Sequence, residues 1–142
     1  MAKYNVFHDA DAIDEAFSNS PFKLKKDVKD LSETELDDIA KCIGDELIQG
    51  FGRDACVLLY NKGQQYVLGF AKVRCGDKKH KKGKSNGYRC IVLVDSENEL
   101  AYLLHIFTHS VKDNISKKET NRLKKLVDEY IVSIGKWILM LV

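Results

Sequence analysis

Apolar residues recur along this chain at two different periods, and the change of period divides it. From Ser32 the apolar positions are Leu36, Ile39, Ala40, Ile43 and Leu47, the three-and-four spacing that lines one side of a helix. Ser32 and Glu35 open this stretch with a capping-box pattern, in which each side chain takes the other residue's backbone N–H. Gly50 or Gly52 can end it in a left-handed conformation. Asp37, Asp38, Asp45 and Glu46 fall off the stripe and read as a solvated face. A second stripe, Leu123, Leu126, Val127, Tyr130, Ile131 and Ile134, follows another capping box at Ser116 and Glu119. Gly135 is expected to stop or bend that helix, leaving Trp137 to Val142 as an apolar tail that needs cover. A shorter helix is predicted over Asp9 to Phe17, broken ahead of Pro21. Phe22 to Lys29 reads as a basic loop or short helix.

Between the two long helices the period drops to two, the spacing of strands. Four runs qualify: Ala55 to Tyr60, Gln65 to Cys75, Tyr88 to Val94 and Glu99 to Thr108. NKGQ at 61–64 and DSEN at 95–98 supply tight turns. Within the second run, Tyr66, Leu68, Phe70, Lys72 and Arg74 share one face. Short links permit only antiparallel neighbours. The expected architecture is therefore α+β: a four-strand antiparallel meander, Lys3 to His8 as an optional fifth strand, N-terminal helices and a C-terminal helix. A length of 142 residues fits one domain, 1–142, with a single core.

The net charge of +2 conceals a segregation. Residues 1–50 carry −6, residues 51–100 carry +5 and residues 101–142 carry +3. From Gly69 to Val92 eight Lys or Arg face a single acid, Asp77, a local charge of +7 suited to phosphate. The N-terminus has no apolar signal segment, and the longest apolar stretch, Tyr130 to Val142, is too short to span a bilayer, so a cytoplasmic protein is expected. Cys42, Cys56, Cys75 and Cys90 lack paired spacing and read as reduced, buried thiols. Cys75, His80 and Cys90 offer zinc-type ligands at a spacing that matches no usual pattern, and no metal or other cofactor is expected. The chain has no Gly-rich nucleotide loop, no nucleophile elbow and no cluster of acids for two metals, which argues against NTPases, serine-type hydrolases and two-metal nucleases.

The candidate chemistry is cationic. Lys72 and Arg74, two apart on one strand, can point at one phosphate or be solvated. Arg89 can offer its guanidinium fork to a phosphate or form an ion pair with Asp95 or Asp77. Lys78, Lys79, Lys81, Lys82 and Lys84 in the intervening loop would bind phosphate without reading sequence. Tyr88 can stack on a base or pack in the sheet. His109 is a candidate for proton transfer; His8, His80 and His105 are weaker ones, with His105 read as part of the sheet.

KVR at 72–74, KKGKSNGYR at 81–89 and YLLHIFTHSVKDNIS at 102–116 together resemble the RelE/ParE superfamily of type II toxins, and within it the HigB-like branch. The resemblance covers Gly69 to about Leu126. It implies a ribosome-dependent mRNA endonuclease that uses the RNA's own 2′-hydroxyl without metal, acting on mRNA on the ribosome, and a cognate antitoxin partner. Some relatives instead poison gyrase or have no demonstrated activity, so a non-catalytic protein-binding role is the alternative. Lys72, Arg74 and Arg89 fall where the endonucleases keep cations, and His109 falls where they usually carry lysine. Ser110 and Ser116 depart from the family's usual polar or basic residues.

Overall fold

The computed structural model describes residues 3–8, 25–26, 31–76, 87–108 and 115–141, with the backbone alone at 25–26 and 134–141. The strands are β1 (Asn5–Phe7), β2 (Lys25–Lys26), β3 (Cys56–Asn61), β4 (Leu68–Cys75), β5 (Tyr88–Asp95) and β6 (Leu100–Thr108), and the helices are α1 (Glu33–Gln49) and α2 (Lys117–Leu141). They form one sheet in the order β1-β6-β5-β4-β3, with β2 also on β6. The meander β3–β6 is antiparallel throughout, as the short turns require.

The N-terminal strands differ from expectation. Both β1 and β2 run parallel to β6, Asn5 pairing with Leu100 and Lys25 with His105. Parallel pairing needs a long crossover, and the chain from β1 and β2 to β6 supplies one. Lys25–Lys26, read as loop or helix, is therefore a short strand, because β6 would otherwise leave its outer edge unpaired there. The helix predicted over Asp9 to Phe17 lies outside the described residues. Tyr66, placed at a strand start, precedes β4 and is exposed.

The alternation of β4, β5 and β6 splits the interior into two layers. Ala71, Val73, Cys75, Tyr88, Cys90, Val92 and Leu103 pack against Leu36, Ile39, Ile43 and Leu47 of α1. Phe70, Ile91, Leu93, Leu104 and Phe107 pack on the other face, against Leu123, Leu126, Val127 and Tyr130 of α2. Burying each such side chain is worth about 1.5–3 kcal/mol. Gly69 is required where β3 crosses close: a Cβ there would stand 1.8 Å from the Tyr60 carbonyl oxygen.

Both capping boxes form. Ser32 Oγ accepts from Glu35 N at 3.2 Å, and Ser116 Oγ from Glu119 N at 3.1 Å. α1 ends at Gly50 with φ 100°. Glu46, assigned above to a solvated face, is 2% exposed. Arg53 explains the difference: its Nη1 donates to Glu46 Oε2 at 3.1 Å, Nη2 to the Glu46 carbonyl at 2.7 Å and Nε to the Gly50 carbonyl at 3.0 Å. One guanidinium thus closes the helix end and holds the buried carboxylate. α2 runs through Gly135 to Leu141 rather than stopping there, since intrahelical hydrogen bonds tolerate one glycine at a cost of about 1 kcal/mol. Its N-terminal half is tied to the sheet by Tyr130, whose hydroxyl donates to Asp95 Oδ2 at 2.7 Å. Asp95 in turn accepts from Asn98 N and Nδ2, closing the β5–β6 turn.

Candidate active site

The cationic residues of β4 and β5 come together through strand register. Arg74 pairs directly with Arg89 across the β4–β5 ladder, and Arg89 with Phe107 on β6. One row away, Lys72 pairs with Ile91 and Ile91 with His105. Alternation sets Lys72 and Arg74 on the face of Phe70, and Arg89 on the face of Ile91, so all three share the α2 side of the sheet.

β6 brings a fourth group to that face. Its register slips against β5, with Ile91 opposite His105 but Val92 opposite Leu103, so Leu104 is an extra residue. Such a bulge shifts the alternation by one. Tyr102 and Leu104 face α2, and beyond the bulge His105 and Phe107 do so as well. His105 Nδ1 lies 3.2 Å from Glu119 Oε2 in the first turn of α2, and the ring packs on Phe107 at 5.0 Å between centroids. The other oxygen of Glu119 is held at 3.3 Å by Ser116 Oγ, the cap of α2.

The site is an interior one. Arg89 is 1% exposed, His105 3% and Lys72 9%; Arg74 is half-buried, and its Nε holds no hydrogen bond. Arg89 is buried because the β5 strand it opens is covered on both faces. Nor does it pair with Asp95, which lies at the far end of β5 and is bonded to Asn98 and Tyr130. Like charges directly opposite across a ladder are destabilising, and removing them from water strengthens their field. An arrangement of this kind is suited to an anion, and to charge that develops on one.

Tyr88 does not join the cluster. It is 4% exposed in the layer beneath α1, on the opposite face of the sheet from Lys72 and Arg89, so it packs rather than offering a ring to a base. Lys78, Lys79, Lys81, Lys82, Lys84 and His109 lie outside the described residues, as does His80 of the zinc-type set. All four cysteines are free thiols, three of them buried. Among the described residues, one group could hold a metal ion: His8, Glu33 and Asp37, where β1 meets the start of α1 on the other side of the sheet. No helix among them is long and apolar enough to cross a membrane.

Sequence reasoning ranked His105 only among the weaker proton-transfer candidates and missed Glu119. Glu119 was legible only as a capping residue, and nothing in YLLHIFTH marks the bulge that turns His105 toward α2.

The site is thus a basic cluster on one face of the sheet, roofed by the C-terminal helix. The model of the RelE toxin of the RelE/RelB toxin–antitoxin system matches residues 69–139, half of the chain and all of the elements that carry the cluster. The chain belongs to this family: it is the toxin of a toxin–antitoxin pair, and the family implies an antitoxin as its partner. No curated protein and no solved structure matches it.

Proposed function

We propose that this toxin is an mRNA endonuclease of the HigB-like kind, working on mRNA in the ribosome and neutralised by its antitoxin. The observation that carries the reading is the direct opposition of Arg74 and Arg89, with Lys72 one row away, on a single buried sheet face. A phosphate entering between them would offset the repulsion of like charges set opposite each other. RNA approaches past Arg74, the least buried cation, with the lysines of 78–84 holding the flanking backbone. The 2′-oxygen attacks the adjacent phosphorus, and the cations stabilise the pentacovalent phosphorane. This needs no metal, and no metal ligand set lies on the cationic face among the described residues.

Induced expression in bacteria tests the reading, with primer extension of cellular mRNA as the readout. Arg74→Met and Lys72→Met should abolish toxicity and discrete mRNA cuts while the protein still binds its antitoxin. Should both remain fully toxic, inhibition by protein binding, of gyrase for instance, replaces the endonuclease reading.

A further inference from the structure

We infer that His105 and Glu119 form a proton-transfer pair within this site: His105 Nε2 is the base that removes the 2′-hydroxyl proton, and Glu119 is the positioning residue that orients it. The inference rests on the endonuclease reading and adds residues that the cation pattern alone does not supply.

Three observations converge on the pair. His105 is interior, 3% exposed, and sits one row from Arg89 in line with Lys72. It reaches that face only because β6 carries a bulge next to it; bulges re-aim side chains and are found beside active sites. Its Nδ1 meets a carboxylate that is itself anchored, Glu119 Oε2 at 3.2 Å while Oε1 takes the Ser116 hydroxyl at 3.3 Å. A carboxylate bound to Nδ1–H fixes the tautomer and leaves the lone pair on Nε2, the form in which imidazole accepts a proton. The pair also balances charge: when His105 becomes imidazolium among cations, Glu119 stands next to it.

The step balances as follows. Nε2 takes the proton from the 2′-hydroxyl as the O2′–P bond forms. The P–O5′ bond breaks, and its electron pair leaves on the 5′-oxygen, which takes a proton from the Lys72 ammonium. The products are a 2′,3′-cyclic phosphate and a 5′-hydroxyl. Water returns the proton from His105 to Lys72. Among the described side chains, Glu119 on α2 meets His105 directly, Lys72 on β4 lies in its row, and Arg89 on β5 with Arg74 on β4 lies in the next.

The test uses full-length toxin, His105→Gln and Glu119→Gln, with two readouts. The first is independent of cleavage: nitrogen-15 NMR of the imidazoles should find His105 protonated at Nδ1, and Glu119→Gln should lower its pKa, because the imidazolium loses its carboxylate. The second is single-turnover cleavage of a labelled mRNA on purified ribosomes across the neutral pH range. His105→Gln should cut the rate by about 10²–10⁴-fold and remove the acid limb of the pH profile. Glu119→Gln should cut it by about 10–100-fold with unchanged KM and move that limb to lower pH. If His105→Gln does not fold, the near-isosteric Glu119→Gln carries the test. Wild-type rates in both variants, an Nε2-protonated His105, or a faster Glu119→Gln enzyme overturn the pair while leaving the endonuclease standing. A wild-type protein that cuts no mRNA overturns the endonuclease and the pair together.

Discussion

Arg74→Met should make the protein more stable while removing its toxicity. In the antiparallel register Arg74 stands directly across from Arg89, where Cβ atoms lie about 4.5–5.5 Å apart. Their guanidinium groups can spread to roughly 8 Å. At an effective dielectric constant of about 40, between the surface value and bulk water, two unit charges at that distance repel by about 1 kcal/mol. Arg74 Nε is also buried with no hydrogen bond, which forfeits up to about 1 kcal/mol more. Methionine keeps the apolar stem that fills the space and leaves intact the bond from Arg74 N to the Ala55 carbonyl. The expected gain is about 1–2 kcal/mol, read as a higher urea midpoint at constant m-value. The electrostatic part should shrink as salt is raised. A loss of more than about 1 kcal/mol, or a gain indifferent to salt, would refute the idea that function holds two repelling cations in register.

Arg53→Ala should cost about 2–3 kcal/mol in urea unfolding, less than a fully enclosed pair because Arg53 is 33% exposed; adding Glu46→Gln should recover part of the loss, and additive effects would contradict the clasp. Stability should fall between pH 9 and 11. Burial pushes the Cys56 thiol up from 9.0 to about 11, so its contribution is complete below the unfolded value and is lost as pH rises toward the folded one, about 2–3 kcal/mol in total; Cys56→Ala should flatten that part of the chemical-denaturation profile. Replacing Lys81, Lys82 and Lys84 with Gln should reduce the slope of log affinity for RNA against log salt by up to about 2, and an unchanged slope would remove the loop from the interface.

The central meander, both long helices and the pairing of cations on one face were legible because each follows from periodicity or a local signal: the period-two runs, SETE and SKKE at the helix starts, and KVR on one strand. What escaped detection depends on groups far apart in sequence. Glu46 looked solvated because Arg53 folds back on it only after Gly50 and Gly52 turn the chain. Tyr88 looked available because its strand could have been covered on one face only, whereas α1 and α2 cover both. His105 was read as part of the sheet because it stands among apolar residues, and the inserted Leu104 that sets it on the α2 face has no signal in the sequence. The parallel docking of β1 and β2 leaves no local trace, since neither strand has a turn linking it to β6.

That docking has a consequence for the order in which the molecule is assembled. Lys3 N donates to the Glu99 carboxylate, a contact 96 residues apart in sequence, whereas β3 to β6 close through successive hairpins. At about 5–20 residues per second of synthesis, the first strand waits roughly 5–20 s for its partner to be made. Closing so long a loop is entropically unfavourable until the hairpins have fixed β6. Strand β1, made long before β6, is therefore among the last elements to be seated, and the cationic face is built on a sheet whose outer edge is sealed only at the end of folding.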